Sequence, residues 1–382
     1  MHHNECLQRY ADLGRGAARG RMLSCPFPPE GLRVSARQAD TDPLIYPLQD
    51  RVPKPGQVSE VADGVFWIRM PMDGRLDHIN LWLLRDRDGW TVVDTGLFTQ
   101  QVQDCWQQIF ANHLHGKPIT RVFATHLHND HTGLAGWLTR EWECELWMSR
   151  SDFYMCKVMA ADGPSDVPED AIRFYRRAGF TEERLAGYRE RFGQFGSRIA
   201  PLPAGFRRVL DGQYIDIDGR EWRAIIGHGH APEHVCLHCP ELSVLIGGDQ
   251  VLPRITPNVG VQPSEPSANP LHDWLASCAR FRDLLPGHLL VLPAHEHLYQ
   301  GLHERLTALI DWHETGLQKL YDLCATPKRA VDVFPALFRS PITDWTYFPA
   351  TGEAIAHLHC AQGRRMLVGE EDENGVAWWR QA

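Results

Sequence analysis

The sequence predicts an α+β protein that carries a small unit of its own at the C-terminal end, and three observations lead there. From residue 58 onward, short alternating or apolar runs of strand length are punctuated by glycine and Asp-Gly turns before helical stretches take over. Five times an apolar run ends in a histidine or an aspartate, at Asp94, His126, His230, Asp249 and His295. The last stretch, roughly 326–382, changes character again and reads as two helices followed by two short strands.

Taken in order, residues 1–50 show little periodicity and many Arg, Gly and Pro, as in Cys25-Pro26-Phe27-Pro28-Pro29, which reads as an extension. The runs at 65–68, 79–84 and 90–94, separated by Asp73-Gly74 and Asp88-Gly89, predict an antiparallel meander. A helix is expected over 101–115, ended by Lys117-Pro118, and a strand then leads into Thr125-His126-Leu127-His128-Asn129-Asp130-His131. Residues 133–142 should be helical. The segment 149–200 reads as a helical insert of three stretches, with Ser149-Arg150-Ser151-Asp152 and Thr181-Glu182-Glu183 as caps. Its aromatics fit either a layer that packs inward or a lid over a pocket.

Strands resume at 214–217 and 222–226, then at 235–239 and 243–246, with a proline-rich loop over 253–270 and a helix at 274–285. The strand at 289–292 ends in Pro293-Ala294-His295, and a long helix follows from 301 to 324. In the tail, Gly352-Glu353 is read as opening a helix through His359, and Asp372-Glu373-Asn374-Gly375 as the turn of a hairpin. The organisation expected is an N-terminal extension (1–50), a catalytic domain (51–300) and a linker helix with a small terminal domain (301–382).

At 382 residues, two domains are the natural expectation, and 43% hydrophobic residues suffice for a sizeable core. The net charge of -9 argues against a protein built mainly to hold nucleic acid. No apolar run is long enough to span a membrane, and no secretory signal is read at the start. The ten cysteines are scattered, and Cys236 and Cys239 should face opposite sides of one strand, so reduced thiols in a cytoplasmic protein are expected.

Three histidines and a carboxylate within residues 126–131 suit a divalent transition ion such as zinc. His126 and His128 are two apart, so on extended backbone both point the same way and can grip one ion. Asp130 and His131 fall after the chain begins to turn and can face a second.

The motifs Val92-Val93-Asp94-Thr95-Gly96, His126-Leu127-His128-Asn129-Asp130-His131, Gly229-His230, Gly248-Asp249 and Pro293-Ala294-His295 resemble, in that order, those of the metallo-β-lactamase superfamily. The resemblance covers residues 58–299 and implies an αββα sandwich with two divalent metals at one edge. It implies His126, His128 and His230 on one ion, Asp130, His131 and His295 on the other, and Asp249 bridging. Asp94 would then orient ligands by hydrogen bonds, and His234 would support the site or touch substrate. Two ions sharing a water lower its pKa toward neutrality, and Asp130 or Asp249 would carry the proton.

Three helices and a β-ribbon after residue 300 resemble a small winged-helix domain, and the combination resembles the lactamase-beta-like protein 2 group. That resemblance implies hydrolysis of a thioester, related acyl ester or lactone, with a coenzyme A thioester as a candidate substrate. Arg173, Arg176 and Arg177 fit either an anionic handle such as coenzyme A or a solvated helix face. The alternatives it leaves are a phosphodiesterase or endoribonuclease using the same two metals, and a mononuclear iron dioxygenase acting on persulfides. A homodimer built through the tail is a further expectation.

Overall fold

The structure of the protein, a computed structural model, describes residues 43–74, 76–163 and 167–382. Most of the 1–50 extension therefore lies outside the described residues. The part that is described begins with a bridge between Ile45 and Gln300.

Two β-sheets lie face to face. The first has seven strands in sequence order: β1 (Val58–Ala62), β2 (Val65–Pro71), β3 (His78–Arg85), β4 (Trp90–Val93), β5 (Ile119–Phe123), β6 (Glu145–Met148) and β7 (Arg207–Arg208). β1 to β4 form the antiparallel meander, and β5, β6 and β7 add in parallel. The second runs β12-β11-β10-β9-β8, made of β8 (Tyr214–Ile217), β9 (Arg220–Gly227), β10 (His234–Cys239), β11 (Val244–Gly248) and β12 (Leu290–Pro293). Only β11 and β12 pair in parallel there.

The strand period of two explains the layering. In β3, Trp82 and Leu84 enter the core between the sheets, while Leu81 and Leu83 face the opposite layer. Val93 and Phe123 follow the inner set, and Val92 and Val122 the outer one. The second sheet does the same, with Ile226, Leu237, Ile246 and Leu292 inside and Ile225, Leu245 and Val291 outside. Cys236 and Cys239 fall on opposite faces, as read from the sequence. Where both faces are covered, as in β4 and β11, the strands read as near-continuous apolar runs, whereas β8 alternates between buried and exposed residues.

Helices α1 (Gln100–Asn112), α2 (Ala135–Glu141) and α3 (Arg150–Ala161) cover the first sheet through Trp106, Ile109, Leu138 and Phe153. The Thr99 side chain caps α1 by accepting from Val102 N. On the second sheet lie α6 (Pro270–Leu284) and α7 (Leu302–Leu323), α6 being capped by Asn269 with Pro270 at its first position. The result is the αββα sandwich.

The insert contributes α4 (Glu169–Arg177) and α5 (Glu182–Arg191), whose aromatics Phe174, Tyr175 and Tyr188 pack inward, while Tyr154 earlier in the insert is exposed. Tyr175 meets Phe348 at 5.4 Å, Phe180 meets Tyr347 at 5.1 Å, and Tyr188 stacks on Phe348 at 6.0 Å between ring centres. Arg176 pairs with Glu182 and Arg177 with Glu371. Of the two readings of the insert, packing against the C-terminal helix is the one these contacts support.

That helix, α8 (Tyr347–Gly363), corrects the sequence reading: it begins at Tyr347, five residues before the Gly352 that was taken to open it. Pro349 is tolerated because its missing N–H falls in the first turn, where no intrahelical acceptor exists. Gly352 stands inside the helix because the chain at 260–261 crosses it closely. A methyl group at 352 would lie 3.0 Å from the Val261 carbonyl oxygen. The chain ends in the hairpin β13 (Leu367–Glu371) and β14 (Ala377–Gln381). Among the described residues, no helix is long and apolar enough to cross a membrane.

Candidate metal centre

The C-terminal ends of β4, β5, β9, β11 and β12 deliver the polar residues, so side chains far apart in sequence meet on a rigid scaffold. After β5 the chain bends over 125–128, His128 itself is extended with φ -61° and ψ 149°, and a helical turn follows at Asn129–Thr132. His126 Nε2 and His128 Nδ1 come to 2.8 Å. His230 Nε2 lies 3.2 Å from His126 Nε2, and Asp249 Oδ2 lies 3.3 Å from His230 Nε2. All four donor atoms fall within 4.8 Å of one another.

A second group forms beside them. Asp130 Oδ2 stands 3.6 Å from His131 Nε2 and 3.4 Å from His295 Nε2. Asp249 reaches this group too, with Oδ2 at 3.5 Å from His131 Nε2 and Oδ1 at 3.5 Å from His295 Nε2. Every residue expected to hold metal is thus brought into one of two adjoining clusters.

The donors fit divalent ions. His131 Nε2 and Asp249 Oδ1 are buried without a hydrogen-bond partner, an arrangement that is costly unless a cation joins them. The set is imidazole and carboxylate, with no thiolate among the donors, which suits zinc and its neighbours.

Burial, with the neighbouring imidazoles adding to it, pushes His126 and His234 well below the ordinary histidine range. Burial likewise takes His128 down to about 3. These rings are therefore neutral, the form that binds metal. For His131 and His295 burial again opposes the charge, but carboxylates outweigh it. Asp94, Asp130 and Asp249 raise His131 well above its usual value, and Asp249 and Asp130 hold His295 at about 9. The same attraction keeps Asp130 and Asp249 low despite their burial.

The ligands are held from behind. Asp94 sits at φ +63°, a left-handed conformation that persists where surrounding bonds over-determine it. Its carboxylate accepts from Thr125 N at 2.8 Å, Thr125 Oγ1 at 3.0 Å and His131 Nδ1 at 2.8 Å, leaving His131 Nε2 for the site. His230 Nδ1 donates to the Asn258 carbonyl at 2.8 Å, and His295 Nδ1 to the His78 carbonyl at 2.9 Å. His234 Nε2 accepts the Asp249 N–H at 3.1 Å, and its ring stacks 4.7 Å from that of His126. His228 is exposed and donates to the Pro232 carbonyl, outside both clusters.

Asp152 went unrecognised in the sequence, where the Ser149 segment was read as a helix cap. Ser149 makes no capping bond; its hydroxyl donates to Asp152 Oδ2 at 3.0 Å. Asp152, fully buried, also accepts from Leu127 N at 3.0 Å and Glu233 N at 2.8 Å. It therefore ties the 126–131 loop to the loop that carries His230. Asn80 does a similar service for His295, donating to the Pro293 and Glu296 carbonyls at 3.0 Å each. A lone asparagine between Ile79 and Leu81 was the available signal for it.

Asp152→Ala strips two buried N–H groups of their acceptor, so a loss of about 2–5 kcal/mol of stability is expected by denaturant titration. Burial pushes the Asp152 carboxyl up to about 6. Between its unfolded value near 3.8 and about 6, the folded protein binds a proton that the unfolded chain has released, so this group's contribution falls as pH rises through that window. The deficit of the variant should accordingly be larger at pH 5 than at pH 7, by roughly 1 kcal/mol. A deficit that shrinks toward pH 5 would count against this account.

The chain is similar to known proteins in sequence and fold. Residues 74–295 match the model of the Metallo-beta-lactamase superfamily, and residues 317–382 that of the Metallo-beta-lactamase-like, C-terminal domain. A beta-lactamase domain protein from Burkholderia ambifaria is 38% identical, with a TM-score of 0.82 over 89% of this chain and 98% of its own. A metallo-beta-lactamase family protein from Thermus thermophilus, 23% identical, shares the fold with a TM-score of 0.71 over 85% of this chain and 100% of its own. The acyl-coenzyme A thioesterases MBLAC2 of Gallus gallus and Homo sapiens are each 24% identical, over 65% of this chain and 83% of theirs.

Proposed function

The chain belongs to the metallo-beta-lactamase superfamily of hydrolases, and from that premise we propose that it cleaves the thioester of a small acyl substrate, a coenzyme A thioester foremost, with two divalent metal ions. The observation that carries the reading is the position of Asp249, whose carboxylate faces both nitrogen groups at once. His126, His128, His230 and Asp249 would hold one ion, and Asp130, His131, His295 and Asp249 the other.

Bound divalent ions, zinc being the best fit to the donors, supply Lewis acidity that acidifies a shared water and polarises the acyl oxygen. The chain's own residues then manage the proton. Asp249 faces ring nitrogens of both groups, whereas Asp130 faces only those of His131 and His295, through Oδ2. Asp130 thus takes the proton as the water oxygen bonds to the acyl carbon. It returns the proton to the sulfur as the carbon–sulfur bond breaks, and a carboxylic acid and a free thiol leave.

The hairpin weighs against a nuclease. Where a nucleic-acid clamp needs cations, residues Glu370, Glu371, Asp372 and Glu373 are all exposed and acidic. A mononuclear iron dioxygenase would have no use for the second cluster of Asp130, His131 and His295.

On metal-replete protein, an acyl-coenzyme A panel should be hydrolysed faster than a lactone panel and far faster than bis-p-nitrophenyl phosphate. The opposite ranking would overturn the substrate assignment. Elemental analysis should find about two zinc-like ions per chain, and a single iron would overturn the hydrolytic mechanism.

A further inference from the structure

The loop at 258–261 connects the metal cluster to the C-terminal domain. The main-chain carbonyl of Asn258 is the acceptor for His230 Nδ1–H, and this bond fixes the tautomer that leaves His230 Nε2 free to ligate. The carbonyl's position is set by the Asn258 side chain, which bridges two points one turn apart on α8. Asn258 Nδ2 donates to Glu353 Oε2 at 2.9 Å and to the Pro349 carbonyl at 3.2 Å. Three residues on, Val261 N donates to the Gly352 carbonyl at 3.0 Å. A methyl at Gly260 would come within 3.3 Å of the Gly352 carbonyl carbon, so the two backbones touch.

We propose that Glu353 and Asn258 act as positioning residues through which the C-terminal helix sets the geometry of His230, making that domain part of the metal-binding machinery. The proposal rests on His230 serving as a metal ligand. Asn258 contributes a main-chain oxygen at one end and a side-chain amide at the other, so removing its side chain leaves the His230 acceptor in place but unanchored. Glu353 contributes only an acceptor. Burial pushes its carboxyl up to about 7, and in either protonation state it keeps an oxygen able to accept from Asn258.

The test is zinc titration of the full-length metal-free chain against a chromophoric chelator, beside apo-protein melting. Glu353→Ala and Asn258→Ala should each weaken one of two zinc equivalents about 10–100-fold, with the other equivalent and the melting temperature little changed. The double variant should lose no more than Asn258→Ala, because Glu353 acts only through the Asn258 amide. Glu353→Gln, which keeps an acceptor oxygen, should stay within about threefold of the parent.

Unchanged affinity in Asn258→Ala, additive losses in the double variant, or equal weakening of both equivalents would overturn the proposal. Should Glu353→Ala fail to fold, Asn258→Ala and Glu353→Gln decide the matter alone. A parent chain that binds no zinc would instead overturn the metal reading itself, visible before any variant is made.

Discussion

Asp249→Ala should lose roughly 10³-fold or more in kcat/KM on the best thioester and bind fewer than two equivalents of zinc. Among the described residues, Asp249 is the carboxylate close to the nitrogens of both clusters, at 3.3 Å from His230 and 3.5 Å from both His131 and His295. Without it the two groups no longer share a carboxylate, and a pair of cations held there would lose the negative charge between them. Lewis-acid and water activation together supply several kcal/mol of transition-state stabilisation, and about 4 kcal/mol corresponds to a factor of 10³. Steady-state kinetics with metal quantitation on the same sample checks both halves. Activity within tenfold of the parent would remove Asp249 from the centre of the mechanism.

Asp94→Ala is the second large effect, and it should appear in stability as well as in metal binding. The substitution takes the carboxylate from buried His131 and leaves Thr125 N–H without its acceptor. Breaking a buried pair of this kind costs about 3–5 kcal/mol. Loss of the group that orients a ligand weakens metal binding about 10–100-fold. The backbone adds to this, because φ +63° suits aspartate and asparagine better than alanine. Asp94→Asn keeps the tolerated conformation and one acceptor, so stability should fall in the order parent, Asp94→Asn, Asp94→Ala. Urea denaturation of metal-free protein measures that order, and equal stability of all three would show that Asp94 does not brace the loop.

What could be read from the sequence follows from what kind of signal each feature leaves. The seven residues expected at the metals were legible because each follows an apolar strand and carries a side chain suited to metals. The sandwich was legible because strands buried on both faces leave unbroken apolar runs, such as Val92-Val93 and Leu290-Val291-Leu292. The bracing residues were harder. Asp152 reads locally as part of a helix start, and only tertiary structure puts it beneath Leu127 and Glu233. Asn258 acts on His230 through a carbonyl that every residue has, so its identity carries no trace of that contact. The start of α8 was misread because Pro349 and Gly352 both speak against helix interior, while the close crossing of residues 260–261 rewards a missing side chain. The insert's arginines fit a binding face and a solvated face alike in the sequence; Arg176 and Arg177 make exposed ion pairs with Glu182 and Glu371.

The crossing of Gly260 over Gly352 also imposes an order on the life of the chain. Synthesis delivers the strands of the sandwich first, and all seven metal-facing side chains have been joined to the chain once His295 is added. The loop behind His230 finds its support only when Tyr347–Gly363 has followed and docked. On the proposal above, a chain cut short before Tyr347 would keep the strands that carry the metal-facing residues but leave the Asn258 carbonyl behind His230 without its anchor.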